Sequence, residues 1–132
     1  MPAEISPAAF APQLITKDGD AAINFYQAAF GAVLRGRWNN DDGSVHVAEL
    51  SFQDAVFHIR EESEEKAHLS PARAGGNTVI VGIFVPAVDA VVATALAAGA
   101  ELMSPAQDYD YHYRQASVRD PFGHHWLIEQ RI

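Results

Sequence analysis

The chain has 132 residues, no cysteine, and a formal net charge of −8 from 9 Lys and Arg against 17 Asp and Glu. That length suits one domain that folds without crosslinks, and the missing cysteine removes disulfides, thiolate metal sites and cysteine nucleophiles and fits a reducing compartment. The acidic balance disfavours nucleic acid; with no apolar run of membrane length and no basic or apolar leader in Met1 to Ser6, the expectation is a cytoplasmic protein with no membrane partner.

Phe10 to Lys17 reads as a short first strand, with Pro12 tolerable near its start or at an edge. Asp18-Gly19-Asp20 opens a helix, because a carboxylate oxygen can take the free amide hydrogens of the first turn. Ala22, Phe25, Tyr26, Ala29 and Phe30 recur at helical spacing, and Gly31 supplies a left-handed stop. Strands follow over Ala32 to Trp38, Ser44 to Phe52 and Ala55 to Arg60, separated by the loop Asn39 to Gly43 and the turn Gln53-Asp54. The order is βαβββ over about residues 8–62.

Glu61 to Gly76 changes character, with acidic residues crowding its start and glycines its end, and reads as an exposed connector with a helical turn around Glu62 to His68. The pattern then restarts over residues 77–132. Asn77 to Val85 is a β-branched strand, Val88 to Ala98 a helix ended by Gly99, Glu101 to Ser104 the start of a strand, and Tyr109 to Arg119 another after a loop. Asp120-Pro121-Phe122-Gly123 has the chemistry of a type I turn. In the strand after it His124, Trp126 and Ile128 point one way and His125, Leu127 and Glu129 the other. Taken alone, that strand suits either a binding sheet or a surface strand whose His and Glu meet water.

The halves overlay. Ala21 to Ala32 matches Asp89 to Ala100, and Asp54 to Ile59 lies over Gly123 to Ile128, which is duplication of one unit. Lys17 to Tyr26, Ala29-Phe30-Gly31-Ala32, Ala48-Glu49-Leu50, Ala97 to Glu101 and Val118 to His124 stand in the order found in the vicinal oxygen chelate superfamily. The chain resembles that family over nearly its whole length, and within it the glyoxalase-like members grouped with PhnB. The resemblance implies an α+β fold of two tandem βαβββ modules forming a U-shaped mixed sheet around a cleft, often in a homodimer that completes or swaps its clefts.

Metal-using members carry four ligands on the cavity face. The resemblance places those positions at Ala11, His58, about Ile80 and Leu127, of which only His58 can bind a metal, whereas a divalent ion needs three or four donors at about 2.0–2.2 Å. A two-residue slip on the same face brings in Gln13 and Glu129, and Gln13, His58 and Glu129 would suit a divalent ion with open water positions. The expectation is no cofactor, with a divalent metal ion as the alternative.

Trp38, Tyr111, Tyr113 and His125 complete the candidate ligand-binding set with Gln13, His58 and Glu129, since rings with polar tips suit flat, partly polar ligands. His112 stands where relatives carry the small residue of a Trp-Gly pair, and Arg114 is expected to pair with Asp108 or Asp110. His124 and His125 adjoin, so they face opposite ways and cannot share an ion. No phosphate loop, dinucleotide glycine pattern or Ser-His-Asp spacing is present, and no catalytic residue is assigned. Two functions follow: a binding protein of the drug-sequestering kind, whose acidic, aromatic cleft holds a small ligand, neutral or cationic, without transforming it, or a metal-dependent lyase or isomerase of the glyoxalase type.

Overall fold

The computed structural model describes residues 7–132; Met1 to Ser6, read above for a leader, lie outside them. Strand β1 (Gln13–Thr16) starts later than Phe10, because Pro12 has no N–H for a ladder and only accepts, its carbonyl taking the His58 N–H at 2.8 Å. Helix α1 (Gly19–Phe30) begins where expected: the Asp18 carboxylate accepts the Ala21 N–H at 3.1 Å, and Gly31 ends the helix in the left-handed region at φ 64°. Strands β2 (Val33–Asn39), β3 (Val45–Phe52) and β4 (Ala55–Glu61) then form a four-stranded sheet in the order β1-β4-β3-β2, with β1 parallel to β4. This is sheet one.

The connector holds only the short helix α2 (Pro71–Ala74). The helical turn expected around Glu62 to His68 is instead a reversal, closed by an isolated bridge between Ser63 and His68 with Ala67 at φ 56°. Sheet two contains β5 (Val81–Phe84), β6 (Glu101–Tyr109), β7 (Tyr113–Arg119) and β8 (His125–Arg131) in the order β5-β8-β7-β6, with helix α3 (Val88–Ala97) after β5. β5 is shorter than the Asn77 to Val85 expected, because β8, its one neighbour among the described residues, has not yet begun; Asn77 instead donates its side-chain amide to the Gly123 carbonyl at 2.8 Å.

Tyr109 to Arg119 is not one strand. The chain turns between β6 and β7, with His112 at φ 66°, a left-handed conformation that favours the small residue the resemblance implies there. β6 in turn runs unbroken through Pro105: it is an edge strand, and the register shifts between Ser104 and Gln107, so the missing N–H removes no ladder bond.

The modules share one core. Trp126 of β8 is 2% exposed, and its ring lies 5.7 Å from Tyr26 and 4.9 Å from Phe30 of α1 and 5.7 Å from Phe57 of β4. β4 and β8 each lie second in their sheets, so their rings meet only if the helix-bearing faces of the two sheets turn toward each other. α1 also packs on α3, and the His124 Nε2–H donates to the Ile15 carbonyl at 2.8 Å across the modules. The opposite faces of both sheets are therefore directed outward. Among the described residues no helix is long and apolar enough to cross a membrane.

Candidate functional site

The outward face of sheet one is built by strand alternation. Phe57 and Ile59 of β4 point into the core, so His58 points out, and its register partners are Gln13 on β1 and Glu49 on β3. The polar ends connect. Arg60 Nε donates to Gln13 Oε1 at 2.8 Å, which leaves the Gln13 amide nitrogen to donate to His58 Nδ1 at 2.9 Å. His58 Nε2 then carries the proton and donates to Glu49 Oε1 at 3.1 Å. Gly36 completes the row opposite Glu49, and Trp38, 56% exposed, lies over it, its ring 2.8 Å from where a Gly36 Cβ would stand. The arrangement is an oriented imidazole backed by a carboxylate beside an exposed indole.

The matching row of sheet two has different chemistry. In the overlay that puts His58 on Leu127, the row Gln13, His58, Glu49, Gly36 becomes Gly82, Leu127, Ser117, Ser104. The registers set Gln13, two residues beyond Ala11, opposite His58, and Gly82, two residues beyond Ile80, opposite Leu127.

The next row of sheet two contains Phe84, Glu129 and Gln115. Gln115 Nε2 donates to Glu129 Oε1 at 2.6 Å, and the Tyr111 hydroxyl donates to Gln115 Oε1, so Tyr111 and Glu129 are linked through an amide. Partial desolvation, followed by the charges of Tyr109, Asp110 and Glu129, holds the Tyr111 hydroxyl pKa above its ordinary range, which keeps it a donor. Tyr113 meets Phe84 edge-on at 5.4 Å, and the Arg131 guanidinium lies 4.0 Å over the Phe84 ring. His125 shares this face, and its Nε2 is buried without a hydrogen-bond partner among the described residues.

The seven candidate residues thus separate into Gln13, Trp38 and His58 on sheet one and Tyr111, Tyr113, His125 and Glu129 on sheet two. Within one chain Gln13, His58 and Glu129 do not meet, and among the described residues no group of three or more His, Cys, Asp or Glu is placed to hold a metal ion. With Gly82 and Leu127 at the remaining positions, the residues present do not fit a four-donor metal centre. Glu49 and Gln115 join the site through register and side-chain contact, whereas Arg131, two residues beyond Glu129 on β8, shares its face by strand alternation. Arg114 lies on the helix-bearing side, where it pairs with Asp108 as expected and with Asp89 of α3 in place of Asp110, each at 2.9 Å.

A cavity of about 920 Å³ lies elsewhere, between the connector and the 120–123 turn, where Lys17, Glu62, Arg73 and Arg119 line it. It touches none of the seven candidates. An outward sheet face encloses volume only when a second surface covers it, so cavity size in a single chain is a poor guide here.

Residues 7–128 match the family model described as the Glyoxalase/Bleomycin resistance protein/Dioxygenase superfamily. Uncharacterized proteins of Mycobacterium bovis and Mycobacterium tuberculosis are each 33% identical over 127 residues, covering 94% of this chain and 84% and 75% of the relatives. Among solved structures, TioX from Micromonospora sp. ML1 superposes with a TM-score of 0.77 at 26% identity, covering 96% of this chain and 100% of TioX. A family enzyme from Burkholderia phytofirmans reaches 0.69 at 24% identity, covering 91% and 95%. Two βαβββ modules in tandem, the motif order and these matches together place the chain in the glyoxalase/bleomycin resistance protein/dioxygenase superfamily.

Proposed function

We infer that the chain binds a small, flat, partly polar organic molecule in a cleft formed when sheet one of one copy covers sheet two of a second, without a complete metal site. The observation that carries this reading is the register: the row holding Gln13, His58 and Glu49 in sheet one holds Gly82, Leu127 and Ser117 in sheet two, so one wall keeps donors and the other has lost them. What remains suits recognition. One wall offers an indole and an oriented imidazole, the other Tyr111, Tyr113 and Phe84 around an amide-held carboxylate. The five motifs from Lys17 to His124 support a PhnB-like position within the family, and the absence of cysteine fits a reducing cytoplasm.

Calorimetry against a panel of bleomycin-like glycopeptides and planar aromatic compounds tests the reading. Binding that persists in EDTA is expected, and no heat from any member would count against it. The Gln13, His58, Glu49 cluster favours one rival, a metal-dependent lyase or isomerase. Stoichiometric divalent metal in the purified protein, lost in His58→Ala, would replace the binding reading with that one.

A further inference from the structure

Glu129 is 8% exposed, yet it belongs to no ion pair among the described residues. A carboxylate that far out of water is ordinarily matched by a cation or by several donors. Here Oε1 takes one N–H, from Gln115, and Oε2 takes none among the described residues. Oε2 lies beside the bare backbone of Gly82, where a Cβ would come within 2.9 Å of it. Gly82 is outside the left-handed region, so its backbone would accept any residue; what glycine supplies at this point is a notch that leaves Oε2 room.

The neighbouring ring already holds a cation. Phe84 is the register partner of Glu129, and the Arg131 guanidinium lies 4.0 Å over it and 5.8 Å from the Tyr113 ring, with no carboxylate partner among the described residues. An unmatched negative charge thus sits next to a cation held by aromatic faces, in a chain whose overall charge of −8 attracts cations from a distance.

The geometry points to this corner as a subsite for an organic cation, a protonated amine or quaternary ammonium, whose charge meets Glu129 Oε2 in the Gly82 notch. Its apolar part lies against Phe84 and Tyr113, and it displaces the Arg131 guanidinium. This rests on the small-molecule reading above and adds the charge of the ligand. Gly82 and Glu129 then act as specificity determinants.

The test titrates the full chain at low salt with benzyltrimethylammonium and, separately, with benzyl alcohol, following the Gly82 amide by NMR. The cation is expected to bind about tenfold more tightly than the alcohol, as an ion contact and a cation–π contact together allow. Glu129→Gln, and independently Gly82→Ala, should each remove most of that preference without weakening the alcohol, and Arg131→Gln should strengthen the cation. Equal affinities for both probes, unchanged in Glu129→Gln and Gly82→Ala, would overturn the cation subsite and leave the small-molecule reading standing. No response to either probe would overturn both.

Discussion

Asp120 is 3% exposed and gathers donors from three directions. Its Oδ1 accepts the Phe122 N–H at 2.9 Å and the His124 N–H at 3.0 Å, which closes the turn. Its Oδ2 accepts the Trp126 Nε1–H at 2.9 Å and the Tyr26 hydroxyl, which ties α1 to β8. Burial, and then the Asp120 charge, push the Tyr26 pKa well above its ordinary value, so the hydroxyl stays protonated and donates at any physiological pH. Replacing Asp120 with Ala strands buried donors from both modules and is expected to cost on the order of 3 kcal/mol, read from urea unfolding. A loss within experimental error would mean that the turn holds without its carboxylate. The local half of this hub was legible in Asp-Pro-Phe-Gly, because its acceptor and amides lie a few residues apart. The Tyr26 half was not, because that bond spans 94 positions.

At the scale of elements, helix–sheet contacts decide which small residues matter. The Glu61 carboxylate accepts the Gly19 N–H at 3.0 Å and the Val45 N–H at 3.1 Å, drawing the start of α1 against β3. A Cβ at Gly19 would lie 2.6 Å from Val45 Cβ, an atom fixed to backbone, so Gly19→Ala forces the two elements apart. The expected loss is about 1–3 kcal/mol, seen as a lower thermal midpoint. The sequence marked Gly19 only as part of a helix start; its contact with β3 depends on how α1 lies on the sheet. On the other module, Arg114 holds Asp89 of α3, and that hydrogen bond lowers the Asp89 pKa below 3.8. Because the folded value is the lower one, the pair stabilises the native state above pH 3.8 and that contribution disappears as the pH falls through the depressed value. Thermal midpoints of the wild type and Asp89→Asn should differ near neutrality and converge on acidification; a gap that stays constant throughout acidification would exclude the pair as its source.

For the whole molecule, the shared helix-side core leaves two outward faces with large rings exposed, Trp38 at 56%, Tyr111 at 52% and Phe84 at 45%. Covering such surface drives association. Sedimentation is therefore expected to find a dimer, with Trp38→Glu shifting it toward monomer and weakening ligand binding in parallel; a wild-type monomer that binds ligand would remove the two-chain cleft. Alternation with a period of two, helical spacing and turn chemistry act between near neighbours in the chain. They were enough to read both βαβββ modules, the caps at Asp18 and Gly31, and the single face shared by His125, Leu127 and Glu129. Tertiary structure alone decided that the sheets join through their helix-bearing faces, that Gln13 and Glu49 flank His58, and that Glu129 lies in the other sheet's outward face. Those outcomes follow from the burial of Trp126 against Tyr26, Phe30 and Phe57 and from strand register, contacts between residues distant in sequence that no local pattern encodes.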